Sequence, residues 1–179
     1  MKNIDAIYES FKVEDFSVVD PMLLAAYYKK NFHHLAHSMP LKNNDFFTSQ
    51  YWKSQQSRYV EARDAGRECR WILADKGKVI GTIAFDQILK GPLQACYLGY
   101  GIDKDYQGLG LMKKALKLSI SAIIKEHNLN RIMANYEPSN IRSGNLLKSL
   151  GFEREGYARK YLRLNGEWKD HILTSLILD

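Results

Sequence analysis

The sequence predicts a mixed α/β protein of a single domain. Its 179 residues are about the length of one domain, and its shares of apolar and charged residues, 45% and 26%, are ordinary for a globular protein. Apolar residues recur at strand spacing in some segments and at helix spacing in others, in the order (β)ααβββαβαββ. Since no linker, repeat or low-complexity tract interrupts these segments, residues 1–179 are predicted to form one domain.

The N-terminal third predicts a short strand followed by two helices. The strand is expected to end at residues 11–13. Ser17 or Asp20 can cap the first helix, and Pro21 suits its first turn. Residues 45–65 predict a longer second helix, because aromatic side chains recur along one of its faces. These side chains are Phe46, Phe47, Tyr51, Trp52 and Tyr59.

Three strands are predicted in the middle of the chain. Residues 69–74 and 78–89 are rich in isoleucine, valine and aromatic residues, and residues 75–77 form a turn between them. A Gly-Pro dipeptide then breaks the chain, and residues 94–102 form the third strand.

The remainder of the chain alternates between helix and strand. Residues 111–123 carry an apolar stripe at helical spacing, with lysines mostly off that stripe. Residues 131–136 predict a strand, and residues 140–150 predict a short helix. The chain ends in two long strand segments, residues 152–164 and 168–178, joined across an Asn-Gly dipeptide that is typical of a tight hairpin.

Charge and cysteine content narrow the classes of function. The net charge is +6 without a basic block, which favours anionic ligands but argues against sequence-specific nucleic-acid binding. Cys69 and Cys96 show neither disulfide nor metal spacing and fit a reducing compartment. His33 and His37 have helical spacing but no accompanying carboxylate, so no metal site is predicted. Residues 1–5 lack a signal-peptide core and no apolar run could span a bilayer, so we expect a soluble cytoplasmic protein.

Two glycines stand where the third strand passes into the next helix. Residues 100–112 read Tyr-Gly-Ile-Asp-Lys-Asp-Tyr-Gln-Gly-Leu-Gly-Leu-Met. Glycines let backbone N–H groups approach a ligand closely, and the helix N-terminus adds partial positive charge, so this junction suits a pyrophosphate. A tight turn without a ligand is an equally good interpretation of the spacing alone. The segment matches neither the nucleoside-triphosphatase loop nor the dinucleotide-binding fingerprint.

Two polar residues begin the short helix that follows. Asn140 can cap this helix, or it can offer its amide to a ligand lying between two strands. Ser143 has the same two interpretations. For these residues taken alone, capping is favoured.

Together with neighbouring segments, these motifs resemble the GNAT family of acetyl-CoA-dependent N-acetyltransferases. Within that family the sequence is similar to the RimJ/RimL branch, which acetylates the N-termini of ribosomal proteins, and in particular to its RimJ type. The resemblance is dense across residues 91–179 and thin before them. It rests on residues 95–100, 107–110, 131–136, 140–143, 150–157 and 166–171.

The resemblance implies a fold and a cosubstrate. The fold would be a GNAT-like twisted mixed sheet of six to seven strands with helices on both faces, splayed into a V between the strands at 94–102 and 131–136. Acetyl-CoA would lie in that V, with no metal. The residues implied to bind it are Ile102, Gln107, Gly108, Leu109, Gly110, Leu111, Met112 and Asn140. Met112 replaces a small residue of the family pattern, so the packing behind the loop is expected to differ.

The general base is not identified by this resemblance. Many relatives carry a glutamate two residues before the glycine of the third strand, where Tyr97 stands here. The nearest acidic residues along the chain are Asp86 and Asp103. An α-amine, with a pKa of about 7.7–8.0, needs a weaker base than a lysine side chain at about 10.4, so the missing glutamate favours an α-amine acceptor.

Ser143 and Tyr97 are the candidate catalytic residues. Ser143 is implied to lie near the thioester sulfur, where it would hydrogen-bond or relay a proton, and Tyr136 and Tyr157 are rival donors to the leaving thiolate. Cys96 is not favoured as a nucleophile, because it stands in an apolar strand without a histidine partner.

The activity implied by the resemblance is acetyl transfer to the N-terminal α-amine, with alanine favoured, of a small-subunit ribosomal protein. The amine would attack acetyl-CoA directly in a ternary complex. The protein would be a monomer or a dimer. Two alternatives stay open: a relative that acetylates a small-molecule amine, and a non-catalytic CoA-binding or ribosome-associated module.

Overall fold

The computed structural model describes residues 9–178. Residues 1–8, which include the segment judged to lack a signal-peptide core, and residue 179 lie outside the described residues. The strands are β1 Lys12–Asp15, β2 Cys69–Asp75, β3 Lys78–Leu89, β4 Ala95–Ile102, β5 Arg131–Met133, β6 Glu153–Leu164 and β7 Glu167–Ile177. The helices are α1 Pro21–Leu35, α2 Ser49–Asp64, α3 Leu111–His127 and α4 Ile141–Lys148.

All seven of these strands form one sheet in the order β1-β2-β3-β4-β5-β7-β6. Neighbouring strands pair antiparallel, apart from β4 and β5, which run parallel. A parallel pair needs a crossover connection, and α3 supplies it. This agrees with the mixed sheet that the family resemblance implies.

Helices cover both faces of the sheet, as predicted. Side chains of a strand point alternately to its two faces. On β2, Ile72 packs into an apolar cluster with residues of α1 and α2, whereas Leu73 packs into the main core with residues of α3 and α4. The sheet is therefore buried from both sides, and the V described below lies near its middle.

Some boundaries differ from those predicted. Residues 45–65 do not form one helix: Asn44–Phe47 form a 3-10 turn, and α2 begins at Ser49 after Thr48 caps it. The aromatic pattern spans both pieces because Phe46 packs on Trp52 across the junction. The short helix likewise ends at Lys148 rather than at residue 150.

Hydrogen bonds and backbone angles show which of the predicted caps and turns form. Asp20, rather than Ser17, caps α1 by accepting a hydrogen bond from the backbone N–H of Met22. Asn165 and Gly166 both have positive φ, 46° and 83°, as a two-residue turn between β6 and β7 requires. No helix within residues 9–178 is long and apolar enough to cross a membrane.

Candidate functional site

The two parallel strands separate soon after they meet. β4 and β5 pair only at Ala95 with Arg131, Cys96 with Ile132 and Tyr97 with Met133. Beyond Tyr97, β4 continues along β3 as far as Ile102. Residues 134–136 instead follow β7, through a bridge from Tyr136 to Ile172. The predicted V is confirmed, and the predicted strand at 131–136 is shortened because its second half leaves β4.

A cavity of about 1,020 Å³ occupies the opening of the V. The last residues of β4, the loop before α3, the first turns of α3 and α4, and the end of α1 line it. The predicted site residues among its lining are Ile102, Gln107, Gly108, Gly110, Leu111, Met112, Asn140 and Ser143. The side chain of Leu109 packs against the main core instead.

The glycine loop presents backbone amides to the cavity. Gly108 and Gly110 have φ of +75° and +71°, values that a side chain disfavours. Gly110 is the N-cap residue of α3, and no side chain caps this helix. The side chains of Leu111 and Met112 are buried in the core. The backbone N–H groups of these two residues lie in the first turn of α3, where they have no partner within the helix and form the positive end of its dipole.

An ion pair anchors the start of this loop. Asp103 is buried, and its carboxylate accepts hydrogen bonds from Lys30 Nζ at 2.6 Å and from the N–H of Asp105 at 2.9 Å. Burial acts to raise the pKa of Asp103, but these bonds and the Lys30 charge hold it below its ordinary value. Asp103 is thus a structural carboxylate and not a free base.

The side chain of Gln107 joins the two walls of the cavity. Its amide nitrogen lies 2.8 Å from His34 Nε2 on α1, and because that nitrogen can only donate, His34 accepts. Arg142 on α4 donates to the amide oxygen of Gln107. The cationic side chains of Lys104, Lys113 and Arg142 all line the same cavity.

Asn140 caps α4, and both Asn140 and Ser143 line the cavity. The Asn140 Oδ1 atom accepts the N–H of Ser143 at 3.1 Å, which is the capping role favoured from the sequence. The Ser143 hydroxyl lies 2.7 Å from the hydroxyl of Tyr100, a residue of β4 that sequence reasoning missed. Burial raises the pKa of Tyr100 to about 12. The alternation of side chains along the third predicted strand was the signal that could have placed Tyr100 on the cavity side.

The two tyrosines proposed as rival donors differ in position, and Tyr136 lies near the Tyr100–Ser143 pair. The ring of Tyr136 packs on Gly144 so closely that a Cβ atom there would be 2.8 Å from it. Tyr157 is half exposed on β6, and its hydroxyl donates to Asp170 at 2.5 Å. Neither residue lines the cavity.

Tyr97 lies on the opposite face of the sheet from this cavity. Its neighbours Cys96 and Leu98 pack into the main core beneath α3, so the Tyr97 side chain points to the other face. Burial and the nearby Tyr97 phenol raise the pKa of Tyr161 on β6. Asn135 Nδ2 donates to the Tyr161 hydroxyl, at 3.1 Å.

Asp86 is a carboxylate on that same face. It is the cross-strand partner of Tyr97, and directly opposite residues of an antiparallel pair share a face. Arg70 Nη2 donates to Asp86 Oδ1 at 2.8 Å. Burial raises the pKa of Asp86 to about 6, although the Arg70 charge opposes the change. Of the two acids considered from the sequence, Asp86 is therefore the one beside the V.

Cys96 is unsuited to nucleophilic catalysis. Its side chain is fully buried in the main core, and burial raises the pKa of the thiol to about 12. A nucleophilic cysteine requires the thiolate, which this environment disfavours.

Known proteins share this sequence and architecture. The chain is 40% identical to the ribosomal protein uS5-alanine N-acetyltransferase of Escherichia coli over 159 residues, which are 88% of this chain and 82% of that protein. It is 32% identical to a probable N-acetyltransferase, YjcK, of Bacillus subtilis, over 76% of this chain and 77% of that protein.

Solved structures agree with these sequence relatives. The crystal structure of the ribosomal-protein-S5-alanine acetyltransferase of Vibrio fischeri has a TM-score of 0.90 at 39% identity, covering 95% of this chain and 94% of that one. Mycobacterium smegmatis RimJ in complex with CoA-disulfide has a TM-score of 0.82 at 25% identity, covering 88% and 77%. The family model described as an acetyltransferase (GNAT) domain matches residues 22–153. The chain therefore belongs to the GNAT acetyltransferase family and is an N-acetyltransferase.

Proposed function

We propose that this enzyme transfers an acetyl group from acetyl-CoA to the N-terminal α-amine, with alanine favoured, of a small-subunit ribosomal protein. The observation that carries the proposal is the V between β4 and β5, which opens onto the amides of α3. The acceptor is inferred from the relatives in Escherichia coli and Vibrio fischeri, whose names specify the alanine of ribosomal protein uS5 or S5.

The cavity residues fit a ligand that carries phosphates. The uncapped N–H groups of Leu111 and Met112 can hold a pyrophosphate at the helix N-terminus. Lys104, Lys113 and Arg142 add positive charge along the same cavity. We assign CoA binding to Ile102, Gln107, Gly108, Gly110, Leu111, Met112 and Asn140, with Leu109 supporting the loop from the core.

The open edge of β4 and the Tyr100–Ser143 pair have separate roles in the transfer. Acetyl-CoA supplies the acetyl group to the amine, and as the C–S bond breaks CoA leaves as a thiolate. Backbone N–H groups on the unpaired edge of β4 can stabilise charge on the acyl oxygen. Tyr100, which stays protonated at neutral pH, can pass a proton through Ser143 toward the thiolate.

The acceptor amine needs little help to lose its proton. An α-amine with a pKa of about 7.7–8.0 costs about 1 kcal/mol to deprotonate at pH 7, whereas a lysine side chain costs about 4–5 kcal/mol. A cationic small-molecule acceptor would call for acidic residues along its pocket. Between Phe16 and Phe46 the chain carries only Asp20 and Asp45, which favours a peptide acceptor.

Transfer of labelled acetyl groups tests the proposal. We expect transfer from acetyl-CoA to a peptide that begins with alanine, and little transfer to the same peptide with a blocked N-terminus and an internal lysine. Faster transfer to a polyamine would identify the small-molecule alternative. CoA binding without transfer to any acceptor would identify a non-catalytic module. Either result would refute the proposed acceptor.

The sheet indicates how far the domain extends, and the proposed acceptor indicates the cellular compartment. We propose that residues 1–179 are one domain, because the sheet runs from Lys12 to Ile177 and extends beyond the matched residues 22–153 at both ends. A ribosomal-protein acceptor places the enzyme in the cytoplasm, where ribosomes are assembled.

A further inference from the structure

Three side chains that can bind a metal ion meet where the end of α3 lies against the start of β2. Cys69 is the first residue of β2, and Glu126 and His127 are the last two residues of α3. The cysteine sulfur, a carboxylate oxygen and an imidazole nitrogen all lie within 4.8 Å of one another. We call Cys69, Glu126 and His127 the β2–α3 cluster.

The distances within this cluster match those of ligands around a tetrahedral zinc ion. The Cys69 Sγ atom lies 3.4 Å from His127 Nε2, and Glu126 Oε1 lies 3.6 Å from the same nitrogen. Zinc bonds of about 2.3 Å to sulfur and about 2.0–2.2 Å to nitrogen and oxygen, at tetrahedral angles, separate the ligand atoms by about 3.4–3.6 Å. The exposed Glu126 side chain can rotate to close the remaining distance to the sulfur.

Burial holds two of the three ligands in place. Cys69 is buried in the main core, and the His127 side chain is only 7% exposed. Side chains that are already ordered lose little conformational entropy when they bind an ion. The exposed Glu126 side chain leaves a path from solvent, and three protein ligands leave the fourth tetrahedral position to water.

The charges around the Cys69 sulfur favour a cation. Burial raises the pKa of the thiol to about 12, and the carboxylates of Glu126, Asp15 and Glu68 act in the same direction, whereas Arg63 opposes them. The thiol therefore keeps its proton when no ion is bound. A bound zinc ion takes the thiolate as its ligand, and the thiol proton passes to solvent.

One further cation lies beside the cluster. Lys90 Nζ and His127 Cε1 are both within 4 Å of the position that a Cβ atom on Gly66 would take. The Lys90 charge opposes metal binding, but it can turn toward solvent on a long flexible side chain. The ligands themselves are fixed by the fold.

We propose that Cys69, Glu126 and His127 form a zinc site, completed by water, that joins the end of α3 to the start of β2. A set of one sulfur, one imidazole and one carboxylate suits zinc, because magnesium and calcium prefer oxygen ligands alone. The sequence carries no metal motif here because Cys69 and His127 are 58 residues apart, and only the fold brings them together.

The zinc would stabilise the fold and take no part in acetyl transfer. α3 has 17 residues, so at about 1.5 Å per residue the cluster lies about 25 Å from the glycine loop at the other end of the helix. An ion that needs all three ligands binds the folded chain in preference to the unfolded chain. The inference is therefore independent of the proposed function.

Titration of the metal-free, untagged chain with zinc tests this inference. We expect calorimetry to detect one zinc ion per chain. The unfolding temperature should rise by about 5–10 °C when free zinc is about 100 times its Kd. Cobalt(II), used as a substitute for zinc, should give the charge-transfer absorption of a cobalt–thiolate bond, because Cys69 supplies sulfur.

Substitutions identify the ligands. Cys69→Ser and His127→Gln should each weaken zinc binding by more than about 100-fold, since loss of a hydrogen-bond partner behind a ligand already costs about 10- to 100-fold. Glu126→Gln should cause a smaller loss, because water can replace this exposed ligand. Cys96→Ala is the matched control, because Cys96 is the other buried cysteine, and it should bind zinc like the wild type. Each variant is compared with and without zinc, so a change in its intrinsic stability does not affect the result.

Three results would overturn the inference. The first is no zinc binding by the wild-type chain at micromolar concentrations. The second is binding that Cys69→Ser and His127→Gln both retain, which would place the ion elsewhere. The third is a cobalt complex without a thiolate band. None of these results bears on acetyl transfer, which the peptide assay tests separately.

Discussion

The hydroxyl groups of Tyr100 and Ser143 lie 2.7 Å apart in the wall of the V-shaped cavity. They come from β4 and α4, 43 residues apart in the chain. Because burial raises the pKa of Tyr100 to about 12, its proton remains in place at neutral pH. In the proposed mechanism, this pair donates a proton toward the leaving thiolate.

Removal of the Ser143 hydroxyl should slow transfer without unfolding the helix. Ser143→Ala keeps the backbone N–H that Asn140 caps, so only the hydroxyl is lost. We expect kcat to fall about 10- to 100-fold, the range for losing a proton-transfer or orienting partner. Tyr100→Phe should show a loss of the same size. Steady-state kinetics with an alanine peptide measure both, and a wild-type rate for both variants would contradict a role for the pair.

A negative charge at the N-cap of α3 should abolish CoA binding. Gly110→Asp places a carboxylate and a side chain where the phosphates are expected to lie, at a φ of +71°. Gly77→Asp is a matched control, because Gly77 has the same φ in the turn between β2 and β3. Calorimetric titration with CoA should detect binding by Gly77→Asp and none by Gly110→Asp. Equal affinities in the two folded variants would refute the phosphate assignment.

The two roles of Asn140 can be separated by one substitution. Asn140→Asp keeps the oxygen that caps α4, and aspartate is as good an N-cap as asparagine, so the unfolding temperature should hardly change. The same change removes the amide donor and adds a charge, so the affinity for CoA should fall. Asn140→Ala, by contrast, should also cost about 0.5–2 kcal/mol of stability. Unchanged CoA affinity in Asn140→Asp would leave capping as the whole role of this residue.

The pH dependence of transfer should follow the acceptor rather than the enzyme. Below its pKa of about 8 the α-amine is mostly an ammonium without a free electron pair, so the rate should rise with pH and level off near that value. Tyr97→Phe should keep this profile, because the phenol is not proposed as the base. If Asp86 were the base, the profile would instead bend near its pKa of about 6 and lose that bend in Asp86→Asn. A lysine peptide with a blocked N-terminus that outcompetes the alanine peptide would also contradict this prediction.

Local patterns in the sequence were sufficient to predict most of the helices and strands. The helix and strand periods placed β2, β3, β4 and α3 nearly at their observed bounds, because these periods reflect which face of an element is buried. Asn165-Gly166 predicted the β6–β7 turn, and the glycines before α3 predicted the amide cradle, since both depend on backbone conformations that neighbouring residues set. The V itself came from family resemblance and not from any period.

Only the tertiary structure decided which side chains meet. Tyr100 reaches Ser143 because β4 separates from β5 after three pairs, and Tyr161 reaches Asn135 although β7 lies between β5 and β6. That sheet order is a property of the whole chain path, which no local window contains. Tertiary packing also separates the two candidate acids: Lys30 of α1 engages Asp103, whereas Asp86 lies opposite Tyr97, the last residue of β4 that pairs with β5.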